Sequence, residues 1–234
     1  LDFLRPEAFF DLSNSGAADL FKGVKYVWEA VLALPGYIEK VIKPDILGEV
    51  EEGAWVEPGR VRLEEGSVVE RGAIVRGPTI IGRNSVIRTG AYVRGHVMVG
   101  DDCMIGHGTE TRQLLVLNHT NIPHHNCFFT SLVGNSVRIG GVTNTANFRL
   151  DGQEVVIKVN VDDHKRSFPT GQTLFGAVIG DDTRVAGHVL LLAGCLIGRG
   201  CIVYPRCSIS GYIPPDTMVR PKSVPYEMLP IKRR

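Results

Sequence analysis

The chain has almost no net charge, no long apolar run and few cysteines. Lys and Arg total 26 against 25 Asp and Glu, a formal charge of +1, so no global field selects a nucleic acid or an acidic partner. No stretch of 18 or more apolar residues is present, and the opening Leu1-Asp2-Phe3-Leu4-Arg5-Pro6 lacks the layout of a secretory signal. A cytoplasmic protein without membrane or nucleic-acid contact is expected. The five cysteines are an odd number, and each needs its own account. Cys103, Cys195, Cys201 and Cys207 fall at a recurring small-residue position described next, which reads as interior filling in a reducing compartment. Only Cys127 lies outside it.

What the chain does have is a period of six. Aliphatic residues recur at Leu63, Val69, Val75, Ile81, Ile87, Val93, Val99 and Ile105, and again at Ile179, Val185, Leu191, Ile197, Val203 and Ile209. A small or thin residue follows each by four positions: Ser67, Ala73, Thr79 and Ser85 in the first ladder, Thr183, Val189 and Cys195 in the second. A hexad period is the signature of a parallel β-helix solenoid. Each hexad supplies one short strand and one bend, so three close a triangular coil and residues eighteen apart stack as parallel strands. Leu63 should then stack on Ile81 and Val99, with the aliphatic position filling the prism.

Three regions follow. Residues 1–45 read as a helical cap over the open end of the solenoid: Leu20, Phe21, Val24, Val27, Trp28, Val31 and Leu32 form a helical stripe, and Leu34-Pro35-Gly36 stops it. The solenoid spans 46–213 and a tail 214–234. The ladder fails after Thr109, where Thr111, Leu117 and Pro123 are poor interior residues, so Arg112 to Ser131 is expected to bulge. A second interruption, about 148–175, reads as a projecting hairpin, with Glu154 to Val161 as a strand and Asp162-Asp163-His164-Lys165 as its turn. On a regular scaffold, function belongs at the interruptions.

The stretch from Pro123-His124-His125-Asn126-Cys127 to Ile139-Gly140-Gly141-Val142-Thr143-Asn144-Thr145-Ala146-Asn147 resembles the acetyltransferase half of the bifunctional enzymes that make UDP-N-acetylglucosamine, within the hexapeptide-repeat acyltransferases. The similarity runs over roughly 46–222, and no Gly-rich phosphate loop of a nucleotidyltransferase half precedes it. The resemblance implies a left-handed β-helix, a homotrimer, acetyl-CoA as co-substrate and an amino sugar or its phosphate as acceptor, with no metal. It implies His124 as general base, a role an imidazole suits. Arg94 and Arg112 would hold a phosphate, a task for guanidinium forks, and their spacing of eighteen stacks them. Asn147 would bind the sugar, and Gly141, Ala177, Gly187 and Pro205 would line the coenzyme. The chain departs from the pattern at Cys127 (Tyr in the family), Arg138 (Asn), Val142 (Gly) and Leu174 (a basic residue).

Two other readings use the same scaffold. One is a non-catalytic oligomerisation or interaction module. The other is a zinc protein like the γ-carbonic anhydrases, suggested by His119 and His124 five apart, although Arg83 stands where a third His would be needed.

Overall fold

The computed structural model describes residues 1–161 and 164–222. Asp162 and Asp163 of the expected turn, and the closing Lys232-Arg233-Arg234, lie outside the described residues. From Asp45 onward the chain winds as a left-handed parallel β-helix, with short strands stacked on three faces. Face A carries the column Leu63, Ile81, Val99, Val116, Val133, Ile179 and Ile197. Face B carries Val69, Ile87, Ile105 and Ile122, then Ile139, Val185 and Val203. Face C carries Val75, Val93, Thr111 and Phe128, with Thr145, Leu191 and Ile209 beyond them. The apolar residues of these columns, with Cys103, Cys195, Cys201 and Cys207, form one continuous core. Burial pushes the Cys103 and Cys195 thiols up to about 12, so they stay protonated filler.

Arg112 to Ser131 does not bulge. Val97 pairs with Leu114, and Leu114 with Ser131, so two successive coils hold seventeen residues rather than eighteen. The count of six still meets Thr111, but the lost residue moves the next inward positions to Val116, Ile122 and Phe128, and the hexad count misses them. The shortened coils carry two buried polar atoms without a hydrogen-bond partner among the described residues, Thr111 Oγ1 and Asn126 Nδ2. Between Thr145 and Ile179 the chain leaves the prism, and it returns to pair in register with Val133.

The N-terminal segment is not a cap over the end. Its buried residues, including Phe9, Phe21, Trp28, Val31, Leu34 and Ile38, pack on the outward side of face A against Leu115, Leu132, Val178 and Leu196. The first coil is left open, and its inward Ile46 is 46% exposed. The α-helix spans Glu29–Val41 and runs through Pro35 and Gly36. Proline deprives the Val31 carbonyl of its helical donor, and the Gln113 side-chain amide donates to that carbonyl instead at 3.1 Å. Tertiary packing therefore overrides the stop signal.

The insertion does form a hairpin, Val156–Val161 against His164–Pro169, yet it does not project freely. Val155, Ile157 and Val159 are buried in the same cluster as the N-terminal segment, and Phe168 packs on Trp28 and Tyr26. Alternation of apolar residues gives the strand one face to bury, and face A offers the place. Face A is thus clothed by its own chain, leaving faces B and C to solvent.

A side-chain ladder pins the N-terminal segment along the edge between faces A and B. Asn118 Oδ1 accepts from Asp101 N, Asn135 Oδ1 from Asn118 N, and Asp181 Oδ1 from Asn135 N. Asp11 N donates to Asp181 Oδ2 across 170 residues of sequence. Asp181 is 2% exposed. Burial raises its pKa, outweighing the opposing hydrogen bonds and Arg199 at 3.4 Å. A carboxyl that binds its proton more tightly folded than unfolded adds stability below its ordinary value of 3.8. That contribution is lost as pH rises through the raised folded value. The melting temperature of the wild type relative to Asp181→Asn should therefore climb as pH falls toward 3.8; a pH-independent difference would refute this.

Candidate functional site

The edge between faces B and C is built by a column of left-handed residues, one per coil: Gly90, Gly108, His125, Val142, His188 and Arg206, with φ between 53° and 74°. Each turns the chain into a buried residue on the next face, such as Thr109, Asn126 or Thr143. This geometry separates the adjacent histidines. His125 takes the corner at φ 53°, with its ring over Gly108 and 5.1 Å from the His107 ring. His124 ends the strand Asn121–His124, exposed, with its ring against Gly141: a Cβ there would lie 2.7 Å from His124 Cδ2 and 3.1 Å from Nε2. Beside it Val142 holds φ 61°, a conformation that costs a β-branched residue about 1–3 kcal/mol. Strain of this kind concentrates where a chain positions chemistry.

On face B the outward positions next to this edge are small. Gly106, Pro123, Gly140 and Ala186 form the floor of a trough along the prism. A Cβ on Gly106 would fall on the Pro123 carbonyl, and one on Gly140 on the Gly187 amide, so the floor can hold nothing larger. Gly141 and Gly187 are in contact, and Pro205 lines the trough farther on. Three of the four residues expected to line a coenzyme thus follow His124 along one edge. Ala177 does not: it is fully buried in the core, and its side chain faces the prism interior.

Face C holds the arginines at its far margin. Register places Arg76, Arg94, Arg112 and Phe129 in one column, on a face about three residues, or about 10 Å, across. Arg94 pairs with Glu110 at 2.7 Å, Arg112 is exposed, and Arg76 lies about 6 Å from the Trp55 and Tyr92 rings, within cation–π range. Cys127 sits midway, next to Glu110. Burial and the Glu110 charge raise its thiol, which disfavours a nucleophilic thiolate. Asn147, two coils from Arg112 on the same margin, is engaged at the root of the insertion. Its side-chain amide donates to Thr130 Oγ1 at 3.2 Å and its main-chain carbonyl accepts from Phe175 N at 2.7 Å.

His119 lies on the other edge of face B, 3.4 Å from Asp102, so it and His124 stand on opposite edges of that face. Among the described residues, no group of three or more His, Cys, Asp or Glu could hold a metal ion, and no helix is long and apolar enough to cross a membrane. Sequence reasoning missed Glu110, which sits between the arginine column and His124. The signal was available: it lies eighteen residues after Tyr92, on an outward position of the hexad.

Comparison with known proteins agrees with this architecture. The sequence model described as the GMPPB C-terminal domain matches residues 75–165. The bifunctional protein GlmU of Methanococcus maripaludis is 32% identical over 211 residues, 90% of this chain and 49% of that protein. GlmU of Methanococcus vannielii is 30% identical over 207 residues, 88% and 47%. The chain spans about half the length of the curated relatives it matches. Among solved structures, the UDP-N-acetylglucosamine acyltransferase of Campylobacter jejuni superposes with a TM-score of 0.50 at 15% identity, over 72% of this chain and 70% of that one; at that identity the likeness concerns the fold. The chain is a distant homologue of part of the bifunctional GlmU proteins, built on a hexapeptide-repeat β-helix.

Proposed function

We propose that the chain transfers an acetyl group from acetyl-CoA to the amine of a sugar phosphate, with His124 as general base. The observation that carries this reading is the position of His124 on the edge shared by two open faces, beside a strained Val142. Face C sets Arg94 and Arg112 about 10 Å away, a span that suits a hexose phosphate with its phosphate on guanidinium groups and its amine at the imidazole. Face B offers a floor of small residues to an elongated donor. The amine nitrogen attacks the thioester carbonyl and its proton passes to the imidazole. The carbon–sulfur bond then breaks, and the coenzyme leaves as a thiolate that takes up a proton. Neighbouring prisms of a homotrimer would wall this edge and shield the reaction from water.

The test is thiol release from acetyl-CoA against a panel of amino sugars and their 1- and 6-phosphates, with sedimentation to count subunits. Arg112→Gln is expected to raise the KM of a phosphorylated acceptor about tenfold or more, the loss of one charged hydrogen-bond donor, and to leave an unphosphorylated one unchanged. Absence of turnover with every acceptor, together with absence of acetyl-CoA binding, would favour the interaction-module reading.

A further inference from the structure

Face B carries a second basic pair that the proposed reaction does not use. Arg138 and Arg184 are direct partners on adjacent parallel strands, and both are exposed. Among the described residues neither guanidinium has a carboxylate within salt-bridge distance, whereas Arg62, Arg88 and Arg94 elsewhere on the prism each have at least one. Like charges set directly opposite on a sheet repel, so the bare protein gains nothing from this pairing. The two side chains stand over a groove of about 420 Å³ that continues through Gly140 to Ile202, Tyr204 and Pro205. Tyr204 is 43% exposed, an outward aromatic ring one and two coils beyond the arginines. Its inner end reaches Gly140, next to the Gly141 on which the His124 ring rests.

We infer that Arg138 and Arg184 form a diphosphate clamp for a nucleotide, whose base lies on the Tyr204 side of the groove. Two guanidinium forks about 4.8 Å apart, the spacing of neighbouring strands, match successive phosphates and can each engage two oxygens. An exposed aromatic ring beside the clamp gives a base a surface to stack on. The assignment rests on the acyl-transfer reading only for its source: the diphosphate could belong to coenzyme A or to a nucleotide-linked sugar.

Calorimetric titration separates these. Wild type, Arg138→Gln, Arg184→Gln and the double variant are titrated with coenzyme A, ADP, UDP-N-acetylglucosamine, adenosine and pantetheine. Because both side chains are exposed, melting temperatures should stay within a few degrees and loss of binding can be read as such. The double variant is expected to weaken the nucleotide that binds wild type by about ten- to a hundredfold, as for charged hydrogen bonds. Adenosine and pantetheine, lacking the diphosphate, should bind wild type weakly and be indifferent to the substitutions. Selective loss of coenzyme A and ADP assigns the clamp to the donor; selective loss of the UDP-sugar assigns it to the acceptor. Equal binding of the nucleotides by wild type and double variant overturns the clamp while leaving acyl transfer intact, and so does failure of any nucleoside diphosphate to bind wild type while turnover persists. A clamp that behaves as described in a protein without turnover would instead remove the proposed function.

Discussion

Replacement of His124 by alanine is expected to lower turnover by about a hundred- to ten-thousandfold, the range set by loss of a positioned general base. An amine attacking a thioester must shed a proton, and the His124 ring reaches Gly141, beside the floor of the trough. The fall should appear in kcat, with coenzyme affinity little changed, because alanine leaves that floor intact. His125→Ala is the control. His125 occupies the corner itself, over Gly108 and against His107, so its loss should change turnover less than tenfold. Equal losses in the two variants, or none in His124→Ala, would remove the assignment. The strained neighbour offers a finer reading: Val142→Gly should raise stability by about 1 kcal/mol through relief at φ 61°, while any loss of activity would show that Val142 holds the imidazole in place.

Gly106→Ala should be among the most destabilising single substitutions available in this chain, by about 4 kcal/mol or more, at the far end of the range for point mutants. The added carbon would sit on the Pro123 carbonyl of the next coil. That oxygen belongs to backbone between stacked strands and cannot swing aside as a side chain could. For a chain of this size the cost corresponds to a fall of roughly 8–16 °C in melting temperature. Gly36→Ala gives the opposite sign. Gly36 lies in the helix Glu29–Val41 with nothing within 4 Å of its added carbon, so alanine should stabilise by about 0.5–1 kcal/mol. Thermal unfolding of the two variants side by side checks both; similar shifts would mean that coil spacing gives way more readily than parallel pairing allows.

The prism was legible because its interior repeats without exception over both ladders, from Leu63 to Ile105 and from Ile179 to Ile209. Between them the signal was lost for a geometric reason. Two coils are one residue short, and a count of six lands on Leu117 and Pro123 while the chain turns Val116 and Ile122 inward. The clothing of face A was present in the sequence as well. Ile80, Met98, Leu115, Leu132, Val178 and Leu196 each directly precede an inward residue, an outward apolar column that has no reason to exist on a bare solenoid and that announces a covering. The site was half legible. Spacing of eighteen placed Arg94 and Arg112 in one column, whereas His124 and the glycines beside it came from the family resemblance and not from the period. It could not show that Asn147 is engaged by Thr130, that Ala177 points inward, or that Glu110 stands between His124 and the arginines, because those depend on which way each side chain leaves the coil.

The N-terminal segment changes what kind of folding unit the solenoid is. In a bare repeat each coil touches only the next, so it can fray from either end one coil at a time. Here Asp11 binds Asp181, Asn14 accepts from Asn118, and Gln113 closes the helix at Val31, while Trp28 holds the hairpin through Phe168. Coils far apart in sequence are lashed to one strap. Melting should then be a single cooperative event for the covered coils. Formation should be slow, since the strap, made first, finds its last partners only after the final coils are wound.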